Sequence, residues 1–196
     1  MIDFEKIKIL YQFGKNLNSN DLKVLINSAK KVSFSTNENL INEGETKKEI
    51  YFITKGLVRA YINTEKGDEI TSEIYQENKV LASKDIILFN RPSRFNFEAL
   101  EDTQAYFIDF SLMEQIISNN IKLQESRKQI YQNILKDSLF RLDSFILLTP
   151  EERYLEFVKE NPNIINRVPN KYIANLLGIT PVSLSRIRKR IVTKKK

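Results

Sequence analysis

The chain has 196 residues, 41% of them hydrophobic, enough for one large domain or two small ones, each with its own core. It contains no Cys and no His, so disulfides, iron–sulfur clusters, thiolate zinc sites, His-based triads and histidine-rich metal centres are excluded, and neither a metal nor a cofactor is expected. The formal net charge is +6, yet residues 150–196 hold eleven Lys and Arg against four Glu, a net of +7 that leaves the preceding 149 residues at −1. A nucleic-acid-binding module joined to a neutral body would carry its excess at one end in this way; the last three lysines alone are equally well read as a solvated tail.

The first ten residues mix Asp3, Glu5, Lys6 and Lys8 among apolar positions. No later apolar run approaches the roughly 20 residues that span a bilayer, so no membrane partner and a cytoplasmic location are expected. Asn20 or Asp21 is predicted to cap a helix running to about Lys31, with Leu22, Leu25, Ile26 and Ala29 on one stripe.

Between Phe34 and Phe110 the pattern is that of short strands separated by turn signals. Ile50–Thr54 is followed by Lys55-Gly56, then Leu57–Ile62, Lys66-Gly67-Asp68 and Glu69–Tyr75, with a further pair at Arg94–Leu100 and Gln104–Asp109. Strands this short and regular predict an antiparallel sandwich or barrel.

From about Ser111 to Leu148 the period becomes 3.6, without Gly or Pro. Ile116, Ile117 and Ile121 open a helical pattern that bends near Asn119-Asn120, and Ile130, Ile134, Leu135, Leu139, Leu142 and Ile146 continue it. One small barrel cannot cover so long an apolar face, which leaves part of it for the same helix of a second subunit. An intramolecular core, or two shorter helices, is the alternative reading of the same stripe. Pro150 then opens a helix over Glu151–Lys159 that ends at Asn161-Pro162, and Asn163–Pro169 leaves room for only a very short wing hairpin.

Residues 170–189 are the most informative. A helix-turn-helix needs a small residue where its helices approach, a turn tolerant of positive φ, and apolar residues at fixed offsets. Ala174 is the small residue, Gly178 the turn, and Ile173, Leu177, Ile179, Leu184 and Ile187 the core, while Thr180 and Pro181 begin the second helix. At about 100° per residue that helix turns Leu184 and Ile187 inward and Val182, Ser185, Arg186 and Lys189 outward, with no acid among them. Arg186 suits a bidentate contact to guanine and Val182 a thymine methyl; Thr180, Ser183, Ser185, Lys189 and Arg190 can reach phosphates or further base edges. Arg188, beside the core face, is expected to snorkel. A helical hairpin with a merely basic surface is the plainer alternative.

With these pieces in this order, the chain resembles the Crp/Fnr family of bacterial regulators, in the form found in Bacteroidetes-type bacteria. The resemblance covers nearly all of the sequence, strongest in Thr149–Leu155 and Arg167–Arg190, and in the barrel at Tyr51–Gly56 and Glu98–Asp102. It implies an α+β chain with a cyclic-nucleotide-binding-like barrel of the double-stranded β-helix or jelly-roll type (residues 1–115), a dimerisation helix (116–148) and a winged helix-turn-helix (149–196). It further implies a homodimeric transcription regulator that is not an enzyme, with double-stranded DNA at an inverted repeat as partner, RNA polymerase as a further one, and a small-molecule effector of unknown identity. The family reads bases with Arg-Glu-x-x-x-Arg; Pro181, Val182 and Arg186 stand at those positions, so only the last Arg is kept and the target must differ.

The nucleotide pocket departs further. Family members that bind cyclic nucleotides resemble one another in a Gly-Glu segment for the ribose and an Arg for the phosphate. Here Ala82–Phe89 has no Gly, Asp85 stands nearest the Glu position, Ser93 replaces the Arg, and Arg94 comes one residue later. On a strand that offset reverses the side-chain face, and a phosphate without its guanidinium loses about 1.5–3 kcal/mol. Cyclic AMP is therefore not expected to bind. A cyclic-nucleotide sensor using Arg94 is the alternative; a cupin-type barrel enzyme is a remote third reading, opposed by the missing histidines.

Overall fold

The computed structural model describes residues 19–118 and 121–194. Helix α1 (Ser19–Ser28) precedes β1 (Lys30–Phe34), β2 (Asn39–Ile41), β3 (Glu49–Lys55), β4 (Val58–Asn63), β5 (Glu69–Tyr75), β6 (Val80–Leu81), a short α2 (Lys84–Phe89), β7 (Asn96–Ala99) and β8 (Thr103–Asp109). Five helices follow: α3 (Phe110–Ser118), α4 (Ile121–Leu147), α5 (Pro150–Glu160), α6 (Asn170–Leu177) and α7 (Pro181–Lys194). The strands form two four-stranded sheets, ordered β1-β8-β3-β6 and β2-β7-β4-β5, the antiparallel jelly-roll-like arrangement that the strand pattern predicts.

Strand β3 reads as a continuous apolar run because both of its faces are covered. Tyr51 and Ile53 join Val58, Ala60, Leu81, Phe97 and Ala105 in one core, while Ile50 and Phe52 join Ala29, Tyr106, Ile108 and Phe110 in another. The Lys55-Gly56 turn requires glycine: its φ is +102°, and a Cβ there would stand 2.4 Å from Thr103 Oγ1.

Three expectations need correction. The first helix stops at Ser28, because Lys30 and Lys31 already pair with Phe107 and Tyr106 of β8; Ala29 is buried, but outside the helix. Strands β1, β2 and β6 were not expected, being short or, in β1, largely exposed and so without an apolar alternation. Ser93 and Arg94 lie in the loop before β7, which begins at Asn96 rather than at Arg94.

The chain divides into two compact units, Met1–Ala60 with Ile74–Gln132, and Tyr61–Glu73 with Asn133–Lys196. Helix α4 runs 27 residues; the bend expected at Asn119-Asn120 and the side chain of Ile130 lie outside the described residues. Ile134 is half-buried, whereas Leu135, Leu139, Leu142 and Ile146 are 51–69% exposed. Among the described residues no helix is long and apolar enough to cross a membrane. Helix α5 starts at a capping box, with the Thr149 hydroxyl accepting from the Glu152 N–H at 3.3 Å and Glu152 Oε2 accepting from the Thr149 N–H at 2.8 Å. The Thr149 hydroxyl and N–H hold the Glu152 carboxyl below the usual carboxylate range. Residues 161–169 connect α5 to α6 through turns without a strand, so the short wing hairpin that the resemblance implied does not form there; nine residues taken up by turns leave no length for two paired strands.

Candidate nucleic-acid interface

Helices α6 and α7 close over the core that their spacing predicts. Ile173, Ala174, Leu177, Leu184 and Ile187 are buried, and Ile179 is half-buried. Gly178 makes the turn at φ +65°, with its N–H donating to Asn175 O at 3.0 Å and the Ile179 N–H to Ala174 O at 3.0 Å, which satisfies carbonyls left over at the end of α6. Close approach also demands glycine here, since a Cβ would stand 2.7 Å from Phe145 Cε1.

Thr180 caps α7: its Oγ1 accepts from the Ser183 N–H at 3.1 Å and lies 2.9 Å from Ser183 Oγ. Both hydroxyls are therefore turned to each other in the free protein. Val182 is 60% exposed, and Ser185, Arg186 and Lys189 are exposed beside it, on a helix that carries no acid of its own. Arg190 is exposed too, but its Nη1 donates to Glu151 Oε2 at 2.8 Å. The acid comes from α5, so a reading of α7 alone could not find it. Arg188 does more than snorkel: its guanidinium lies 5.6 Å from the centroid of the Tyr154 ring, and Nε and Nη2 are buried without a hydrogen-bond partner among the described residues.

Other contacts of this unit had no sequence signal. Asn175 Oδ1 accepts from the Thr71 N–H at 3.3 Å, Arg141 Nη1 donates to the Ser72 carbonyl, and Arg153 donates to two carbonyls described below. Their partners stand 104, 69 and 5 to 24 residues away along the chain.

In the barrel, two of the three candidate effector residues, Asp85 and Arg94, pair with each other, and Ser93 turns to other partners. Buried Asp85, on α2, accepts from the Arg94 N–H at 3.1 Å and from Arg94 Nε at 3.0 Å. The Arg94 side chain stays 70% exposed. Ser93 is buried; its hydroxyl is bonded to that of Ser83 at 2.9 Å and to the Phe95 carbonyl at 2.8 Å. A second ion pair, not anticipated, joins Arg59 of β4 to Glu98 of the adjacent β7. Val58 and Ala60 fill the core, so the pleat turns Arg59 to the opposite face of the sheet, where it is 2% exposed.

Comparison with known proteins follows the same outline. Residues 31–120 match the family described as the cyclic nucleotide-binding domain. Electron transport regulator A of Shewanella oneidensis is 25% identical over 190 residues, spanning 87% of this chain and 72% of that protein. Among solved structures, FixK2 from Bradyrhizobium japonicum superposes with a TM-score of 0.74 at 19% identity, covering 85% of this chain and 86% of that one. A CooA variant from Carboxydothermus hydrogenoformans superposes at 0.68 and 16% identity, covering 95% and 84%. The chain thus carries a domain similar to the cyclic nucleotide-binding domain, followed by a long helix and a pair of helices with the spacing of a helix-turn-helix, and over most of its length it shares the fold of FixK2 and CooA.

Proposed function

We propose that the protein is a homodimer that binds double-stranded DNA sequence-specifically in the cytoplasm through α7, with RNA polymerase as a further partner. The division of labour is a sensor in residues 1–115, a dimerisation helix in 116–148 and a reading head in 149–196. The observation that carries this reading is the exposed face of Val182, Ser185, Arg186 and Lys189, on a helix that carries no acid of its own and is mounted on a closed core. Arg186 reads a base and Lys189 a phosphate; Arg190 shares its charge with Glu151, and the mutual hydrogen bond of Thr180 and Ser183 leaves one of their two hydroxyl protons for a phosphate.

Selection of bound oligonucleotides should recover an inverted repeat with half-sites about 10 base pairs apart, centre to centre. On that site Arg186→Ala should cost about 1–3 kcal/mol and relax preference at one base pair per half-site. Lys189→Ala should instead weaken binding to all sequences alike and lower the salt slope by about one unit. Equal affinity of the parent and Arg186→Ala for the best site would remove α7 as the specificity element.

The family match of the barrel favours a second reading, a sensor of cyclic nucleotides through Arg94. Against it stand Asp85, which already holds that guanidinium, and Ser93 in the place of the phosphate-binding Arg. Releasing Arg94 would leave a buried carboxylate short of its partner, at a cost of about 1–3 kcal/mol or more. Calorimetry with cyclic AMP and cyclic GMP should accordingly show no binding. Low-micromolar affinity that Arg94→Ala abolishes would promote the second reading. The chain offers no histidine for a metal-dependent barrel enzyme, and the relative it resembles is named a regulator.

A further inference from the structure

Helices α4 and α6 each end in carbonyls that no later turn of the same helix can satisfy. One side chain on α5 serves both ends. Arg153 donates from Nη1 to the Leu148 carbonyl at 2.7 Å and from Nε to the Leu177 carbonyl at 3.1 Å. Its guanidinium also lies 4.9 Å from the centroid of the Phe145 ring, the ring of α4 that stands against Gly178. A planar cation with forked donors and a stackable face can make all three contacts at once, and a positive charge at two helix C-termini complements both macrodipoles. Among the described residues no carboxylate pairs with Arg153, so its charge serves the two carbonyls and the ring.

We infer that Arg153 is a positioning residue, which sets the angle between the reading head α6–α7 and helix α4, and through that angle the half-site separation a dimer accepts. This rests on the reading of the protein as a dimer that binds DNA through α7. Losing the two bonds would leave each head folded, because Ile173, Ala174, Leu177, Leu184 and Ile187 are buried without help from Arg153. It would loosen the head's hold on the end of α4, since the remaining contacts of α6 and α7, Arg190 with Glu151, Arg188 with Tyr154 and Asn175 with Thr71, reach α5 and the β5 strand rather than α4.

Two measurements on the full-length chain test this. Because the chain has no cysteine, Asp137→Cys on α4 and Val192→Cys on α7, both exposed positions, can be spin-labelled uniquely, and in a mixture with excess unlabelled chain, so that a dimer carries one labelled protomer, their separation can be read by pulsed electron–electron resonance without any DNA. The labelled parent should give one narrow distance distribution, and Arg153→Gln a distribution broadened about twofold or more, as expected when a μs–ms hinge motion is released. The second measurement titrates both proteins with duplexes carrying the selected half-site once, or twice at separations stepped by one base pair. The parent should prefer one separation by about tenfold or more, since a misplaced second head forfeits its base contacts. Arg153→Gln should flatten that preference to within about threefold while holding the single half-site as well as the parent does. A narrow distribution or an unchanged spacing preference in Arg153→Gln overturns the inference, as does a distribution already broad in the parent. Equal loss on single and double sites, with a lowered melting temperature, assigns Arg153 to fold stability alone and overturns it as well. A parent that binds no duplex specifically sinks the DNA-binding reading instead, which the distance measurement, made without DNA, keeps separate.

Discussion

Gly178→Val should weaken specific DNA binding about a hundredfold while leaving the barrel folded. The turn between α6 and α7 holds φ at +65°, which costs a residue with a Cβ about 1–2 kcal/mol, and more for a β-branched one. The new side chain would also be driven into Phe145, whose Cε1 is 2.7 Å from the position of an added Cβ; such overpacking costs about 1–3 kcal/mol. Together these come to about 3 kcal/mol, or a factor of about a hundred in affinity for the selected site. Gly178→Ala in a Phe145→Leu background separates the two contributions, because the smaller partner relieves the contact and leaves the backbone strain. Titration of each variant on the selected duplex, with thermal unfolding alongside, measures both. Affinity of Gly178→Val within about threefold of the parent would show that the left-handed turn does not govern the reading head.

The double substitution Leu135→Glu with Leu142→Glu should convert the protein to a monomer at micromolar concentration. Leu135, Leu139, Leu142 and Ile146 are spaced by four, three and four residues, so they share about 60° of arc on α4. All four are more than half exposed in the single chain. Half-buried Ile134 reports less cleanly on an interface, since part of its surface is already covered within the protomer. In a two-fold interface each leucine is lost twice. At about 1.5–3 kcal/mol for a leucine buried from full exposure, and with a little over half of each surface left to cover, the two positions together remove about 3–7 kcal/mol, before the repulsion of four carboxylates is counted. Sedimentation of the parent and the variant would check this. A parent that sediments as a monomer, or a variant that remains dimeric, would leave the stripe to another use.

The reading head could be drawn from the sequence because its determinants are local. Ala174, Gly178, Thr180 and Pro181, with apolar residues at helical offsets, specify two helices, a turn and the inward face within some twenty residues, and the burial of Ile173, Leu177, Leu184 and Ile187 follows from that spacing. The strands around the Lys55-Gly56 and Lys66-Gly67-Asp68 turns emerged for the same reason, as did the helix opened by Pro150. Strand β1 escaped because its side chains are largely exposed, so pairing with β8 rather than an apolar alternation makes it a strand. The charged residues behaved differently. An Arg on an outer face looks the same in sequence whether it meets water, phosphate or an acid, and only the tertiary structure assigned Arg190 to Glu151, Arg94 to Asp85, Arg59 to Glu98 and Arg153 to the carbonyls of Leu148 and Leu177. Periodicity tells which way a side chain points within its own element. Which group waits there depends on strand order and helix packing, and these bring together residues such as Arg190 and Glu151 that lie 39 positions apart.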